Sequence, residues 1–290
     1  MQNFKLFIEL TRLNKPIGYF LLFWPCMWGL TIAYDFSTDL KKYFFYSFLF
    51  LAGSILMRSA GCIVNDITDR NFDKKVERTK NRPIASGKVS VIRASIYSVT
   101  LCAIAFLVLI NFNYYTIYMA LISMPLAFTY PLMKRFTYWP QLFLGITFNY
   151  GLVLAWISIK NDITLVPIIF YVGAIFWTLA YDTIYGYQDI KDDEIIGVKS
   201  TSIKFKKNPN LFLIICYLIF MLSILTVGIY MKFSYFFYFF LIAPIFHLFF
   251  YQIKKFKLND TANCLKIFKS NNFFGFLIFL NILIGKLFNV

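Results

Sequence analysis

The sequence predicts an all-α, polytopic membrane protein of about nine transmembrane helices around a central cavity. Three observations carry that reading. Of 290 residues, 59% are hydrophobic and 21% aromatic, with a mean hydropathy of +0.65. Charged residues make up only 15%, against about 25% in an ordinary soluble domain. Apolar runs recur at close to the roughly 20 residues needed to cross a bilayer, and the cations between them collect in alternate loops.

The runs can be justified in order. Ile17–Tyr34 contains Trp24, Pro25 and Trp28 and lacks a small-residue cleavage site, so it is expected to remain as a span rather than act as a signal. Tyr43–Val64 follows, interrupted only by Arg58, and ends in a first acidic cluster. Ala94–Ile110 and Tyr114–Met133 complete a first half. Tyr138–Ile159 and Ile163–Tyr185, a second acidic cluster, then Leu211–Met231 and Phe233–Tyr251 repeat that order, and Phe273–Ile284 makes a short ninth span. Two spans, a cluster and two more spans, twice over, suggest two pseudo-repeated halves. No Gly- or Ser-rich linker divides them, so residues 1–290 read as a single transmembrane domain.

The net charge of +15 follows from topology. With the N-terminus cytoplasmic, the far side holds Lys41, Lys42, Lys160, Lys232 and Lys286, and Arg58 lies within a span. Every other Lys and Arg then falls on the cytoplasmic side, together with both acidic loops, as expected for a cell inner membrane. Contact with anionic lipid accounts for the basic loops, and nucleic-acid binding is not needed. Cys26, Cys62, Cys102, Cys216 and Cys264 are scattered without C-x-x-C spacing, which points to apolar packing. The single histidine, His247, sits in the eighth span far from either cluster, where a core role is expected.

The chemistry lies in the two clusters. If the second span's helix continues through Asn65-Asp66-Ile67-Thr68-Asp69-Arg70-Asn71-Phe72-Asp73, then Asn65, Asp69 and Asp73 share one face. Three oxygen-bearing side chains at a membrane boundary call for a cation. Asp189-Ile190-Lys191-Asp192-Asp193 repeats the four-residue spacing in Asp189 and Asp193. Facing clusters of this kind suit divalent ions around a diphosphate. Mg²⁺ takes one or two carboxylates with phosphate oxygens and water, and the charge it neutralises is what holds back departure of an allylic diphosphate. No His, Cys or Ser nucleophile is required. The cations after each cluster, among them Arg78, Arg82, Lys199 and Lys204, either anchor to lipid or balance diphosphate charge. A cation-coupled transporter would carry its acidic residues near mid-span, and a scaffold has no use for matched clusters. The residues alone therefore reach a metal-dependent transferase acting on a diphosphate lipid.

From about Arg12 to Asn272 the chain resembles the UbiA superfamily of intramembrane prenyltransferases. Its first signature matches Asn65 to Asp73 and its second aspartate motif matches Asp189 to Asp193. The stretches Arg82-Pro83-Ile84-Ala85-Ser86-Gly87 and Tyr138-Trp139-Pro140-Gln141 favour its hydroxybenzoate branch, supported by Met57–Cys62, Gly145–Gly151 and Tyr181–Tyr185. The resemblance implies that Asn65, Asp69 and Asp73 bind one Mg²⁺, with Asp66 shaping or sharing the site. Asp189 and Asp193 would bind another, with Asp192 assisting, and Asp69, Asp73, Asp189 and Asp193 would be the catalytic set. It further implies that Lys134 contacts the diphosphate, that Tyr130 turns its ring to the allylic cation, and that Asn149 lies at a substrate. Arg58 is left with two roles, holding the carboxylate of an aromatic acid or ordering the aspartates. The implied substrates are a polyprenyl diphosphate and 4-hydroxybenzoate, joined at the ring carbon beside the hydroxyl, as in ubiquinone synthesis. Other acceptors of the superfamily, such as haem, naphthoate or chlorophyll precursors, fit the branch stretches less well.

Overall fold

A computed structural model describes residues 2–288. The described chain is helical and carries no strand among those residues. In order, the elements are α1 (Gln2–Thr11), α2 (Ile17–Ala33), α3 (Leu40–Thr68), α4 (Arg70–Asp73), α5 (Val91–Leu109) and α6 (Tyr114–Thr129). A 3₁₀ turn, Tyr130–Arg135, leads to α7 (Pro140–Lys160) and α8 (Leu165–Gly186). There follow α9 (Ile190–Ile196), α10 (Thr201–Lys204) and α11 (Pro209–Tyr230). Next are α12 (Tyr235–Phe240), α13 (Ile242–Phe246), a π-helical segment His247–Ile253, and α14 (Thr261–Leu287). Among the described residues, eight helical stretches are long and apolar enough to cross a membrane, and α2 is a shorter apolar helix beside them. The expected architecture is therefore present.

The core lies where α2, α7, α8, α11 and α14 meet. Trp28 packs its ring against Phe170 at 5.4 Å and Trp177 at 5.0 Å, and all three are fully buried. Lipid offers no hydrophobic drive between helices, so close approach has to come from small residues and internal polar bonds. Gly29 supplies the first: a Cβ there would lie 2.1 Å from the Leu152 carbonyl oxygen of α7. Trp177 supplies the second, donating to Asn271 of α14 at 2.8 Å, while Gln252 donates to the same oxygen at 3.1 Å. A separate apolar cluster, with Leu10, Ala60, Ile63 and Ala94, joins α1, α3 and α5.

Several expected boundaries move, each for a local reason. The ninth span is not the short Phe273–Ile284 but a helix of 27 residues. Its N-terminal half is polar, so hydropathy hides it, yet Asn271 and Asn272 are satisfied internally by Trp177 and Trp24. The eighth span is broken at Leu241 and passes into the π-helical segment beyond α13. The fourth keeps its length, Tyr114–Arg135, but its last part, from Tyr130, is 3₁₀ rather than α-helical. Most consequentially, no single helix runs through Asn65 to Asp73. It stops at Thr68, whose carbonyl accepts from Arg135 at 2.7 Å, and Asp69 begins a new turn.

The second half repeats that break. Asp69 (φ −91°, ψ 2°) precedes α4, which contains Asp73, and Asp189 (φ −113°, ψ 5°) precedes α9, which contains Asp193. Each long helix thus ends just before an aspartate, and a short helix then carries the second aspartate four residues on. The two halves place these turns at the same end of the bundle, around one opening.

Candidate active site

A cavity of about 340 Å³ opens between the halves, and both clusters line it. Its wall includes Asn65, Asp69 and Asp73 from the first half and Asp189 and Asp193 from the second. Asp73 lines the cavity from α4, beyond the break at Asp69. Tyr130 and Lys134, in the 3₁₀ turn, also line it, and so does Arg58. Asp66, Asp192 and Asn149 do not. Asp66 is buried behind the wall, where it accepts from Arg12 at 2.5 Å and Arg82 at 3.2 Å. Asn149 is buried between α7 and α8, its amide donating to Gly145 O at 2.8 Å and Thr178 Oγ1 at 2.7 Å.

The cavity is a set of exchangeable ion pairs. Lys134 is paired with Asp69, and Arg78 with Asp189. Arg82 bridges Asp73 at 2.9 Å and Asp66 at 3.2 Å. Arg78 also donates to the Tyr185 hydroxyl at 2.6 Å, tying the loop after the first cluster to the end of α8. Lys199 N–H donates to the Lys134 carbonyl at 2.9 Å, so the second loop fixes the turn that carries Lys134. Breaking a buried pair by removing one partner is costly. A metal held by Asp69, Asp73 and Asp189 would take over the charge that Lys134, Arg82 and Arg78 now balance.

The donor set fits such a metal. All the candidate ligands offer oxygen, as Mg²⁺ prefers. Asp69 Oδ1 is buried with no hydrogen-bond partner among the described residues. Burial raises the Asp73 carboxyl above its ordinary value against the pull of Arg82. Burial and the neighbouring Asp189 push Asp193 up to about 6. A cation would relieve all three.

Deeper in, the lining turns apolar. Arg58 lies over the Phe148 ring at 5.5 Å, and among the described residues its Nε has no hydrogen-bond partner. Arg58, Tyr130 and Phe148 also line a second, largely apolar cavity of about 240 Å³ between α3, α5, α6 and α7. A polar chamber therefore adjoins an apolar one through a cation and two aromatic rings. Sequence reasoning missed Arg12 and did not separate Arg78 and Arg82 from ordinary lipid-anchoring cations. It also passed over Asp182, a carboxylate within α8 that lines the polar cavity. The available signal was the one that singled out Arg58, an ionisable group inside an apolar span.

The sequence model of the UbiA prenyltransferase family matches residues 22–281. A mitochondrial 4-hydroxybenzoate polyprenyltransferase of Rattus norvegicus is 41% identical, over 97% of this chain and 75% of its own length. A 4-hydroxybenzoate octaprenyltransferase of Coxiella burnetii is 38% identical over 96% and 95%. Among solved structures, a UbiA homolog from Aeropyrum pernix K1 superposes with a TM-score of 0.71 at 20% identity, covering 92% of this chain and 97% of that one. A UbiA homolog from Archaeoglobus fulgidus bound to DMAPP and Mg²⁺ gives 0.67 at 17% identity, covering 97% and 99%. These likenesses show the fold, and the family match and the relatives show descent: the chain belongs to the UbiA prenyltransferase family.

Proposed function

We propose that the protein transfers a polyprenyl group from its diphosphate to 4-hydroxybenzoate, at the ring carbon ortho to the hydroxyl. The observation that carries this is the meeting of two aspartate turns, with their paired cations, in one cavity with Arg58, an arginine within the α3 span. Named relatives at about 40% identity act on the same acceptor by name. Asn65, Asp69 and Asp73 would hold one Mg²⁺, and Asp189 and Asp193 another. Bound there, the metal would supply charge neutralisation of the diphosphate.

The chain's own residues do the rest. Lys134, Arg78 and Arg82, released from their aspartates, bind the diphosphate oxygens and stabilise the charge that grows as the ester bond breaks. Asp66 keeps Arg82 and Arg12 in place from behind the wall. Tyr130 and Phe148 offer ring faces to positive charge on the prenyl carbon. Arg58, in the cavity wall, receives the acceptor's carboxylate. The apolar chamber keeps water from the reacting carbon. On charge distribution, we place the cluster end and the N-terminus in the cytoplasm and the protein in the cell inner membrane.

The test is lipid incorporation of labelled acceptor by purified protein in nanodiscs, with Mg²⁺ and prenyl diphosphates of several lengths. Labelled 4-hydroxybenzoate should enter the lipid fraction, whereas naphthoate and haem acceptors should not. Incorporation of another acceptor in its place would redirect the reading.

A further inference from the structure

Five carboxylates line the polar cavity, and their pairing differs. Asp69, Asp73 and Asp189 each hold a cation. Among the described residues Asp182 and Asp193 hold none, and Asp193 belongs to the cluster at the mouth. Asp182 is thus the one carboxylate in the wall outside both clusters. It shares the cavity wall with Arg58 and with Arg78.

Its depth matters. Asp182 lies four residues inside the end of α8, or roughly 6 Å by helical rise. Arg58 lies ten residues inside the end of α3, or roughly 15 Å. Both helices end at the cluster side, so Asp182 sits between Arg58 below and the diphosphate-binding clusters above. An aromatic acid anchored on Arg58 by its carboxylate points its hydroxyl end, and the carbon beside it, towards that level. This placement rests on the function proposed above.

We infer that Asp182 is a catalytic residue, the base that removes the ring proton. The new bond joins C1 of the prenyl chain to the ring carbon ortho to the hydroxyl. The C1–O bond breaks, and its electron pair leaves with pyrophosphate. The proton on the attacked carbon passes to the Asp182 carboxylate, and the C–H electron pair returns to the ring. Other groups in the wall are poorly placed for this. Lys134, Arg78 and Arg82 are cations paired with the cluster aspartates. Of the cluster carboxylates, Asp69, Asp73 and Asp189 hold those cations, and Asp193 lies at the mouth, in the proposed Mg²⁺ site.

The experiment compares wild type, Asp182→Asn and Asp182→Glu, using 4-hydroxybenzoate with hydrogen or deuterium at the ring positions beside the hydroxyl. A positioned base contributes about 10²–10⁴-fold. Asp182→Asn should therefore lose at least about a hundredfold in kcat while both KM values stay nearly unchanged. Deuterium should slow Asp182→Asn strongly and wild type little, because proton removal becomes limiting only in the variant. Asp182→Glu should recover much of kcat, with an intermediate isotope effect. A merely structural carboxylate, neutralising Arg58, would instead raise KM for the acceptor and leave no isotope effect; that result overturns the assignment. So does near-normal kcat in Asp182→Asn, which would give the proton to pyrophosphate. If Asp182→Asn fails to fold, Asp182→Glu decides alone, and absence of an isotope effect there refutes the base. Wild-type transfer to 4-hydroxybenzoate is scored separately, so failure of the function itself is visible before any variant is read.

Discussion

A methyl group on Gly18 would lie 2.7 Å from Arg58 Nε and 3.4 Å from its Cζ. The guanidinium is thus held between a missing side chain on α2 and the Phe148 ring on α7. Gly18→Ala should displace it and raise KM for 4-hydroxybenzoate, with prenyl diphosphate KM unchanged. Arg58→Lys, which cannot copy a planar fork, should weaken acceptor binding by roughly 1–3 kcal/mol. In the Arg58→Lys background the guanidinium is gone, so adding Gly18→Ala should cost little more; additive losses would remove Gly18 from the argument. At the mouth, Asp69→Ala and Asp189→Ala should each lower turnover at least about a hundredfold while the protein stays folded, as Mg²⁺-saturated kinetics and thermal melting would show. The sequence made the aspartates and Arg58 legible because such residues are rare at these depths. It did not reveal which cations meet them. Lys134–Asp69 and Arg78–Asp189 join residues 65 and 111 positions apart, and no local pattern encodes such pairs.

Helix existence was readable and helix ends were not. Each span announces itself by apolar length, but its end depends on partners elsewhere: Arg135 on the Thr68 carbonyl, or Trp177 on Asn271. The polar half of α14 is the clearest example, since its Asn residues are tolerated only because other helices satisfy them. Crossings between helices depend on small residues in the same way. Gly29→Ala would press a methyl to 2.1 Å from the Leu152 backbone oxygen, and backbone cannot swing aside. Overpacking of this kind costs about 1–3 kcal/mol, so Gly29→Ala should lower the melting temperature in detergent. Gly61→Ala meets nothing within 4 Å and should melt like wild type. Equal melting of the two variants would mean α2 and α7 are not packed as closely as described.

At the scale of the whole molecule, the two repeated halves bring both aspartate turns to one end and leave the other end with a different character. There Asp35, Lys160 and Lys286 lie near one another at the ends of α2, α7 and α14. The cluster end carries most of the basic residues, which is why the proposed orientation puts it in the cytoplasm. That orientation can be read directly in inside-out and right-side-out vesicles. In a background lacking the five cysteines, Ser37→Cys marks the far end, while Lys88→Cys and Lys207→Cys mark the loops beyond each cluster; all three positions are exposed. A membrane-impermeant thiol reagent should label Ser37→Cys only in right-side-out vesicles, and the other two only in inside-out ones. The converse pattern would keep the fold but invert the protein, exposing the diphosphate site to the wrong compartment. Labelling of Lys88→Cys and Lys207→Cys from opposite sides would be more serious, because a single cavity needs both clusters at one end. The pairing of Arg78 with Asp189 across the two halves makes that outcome incompatible with the site itself.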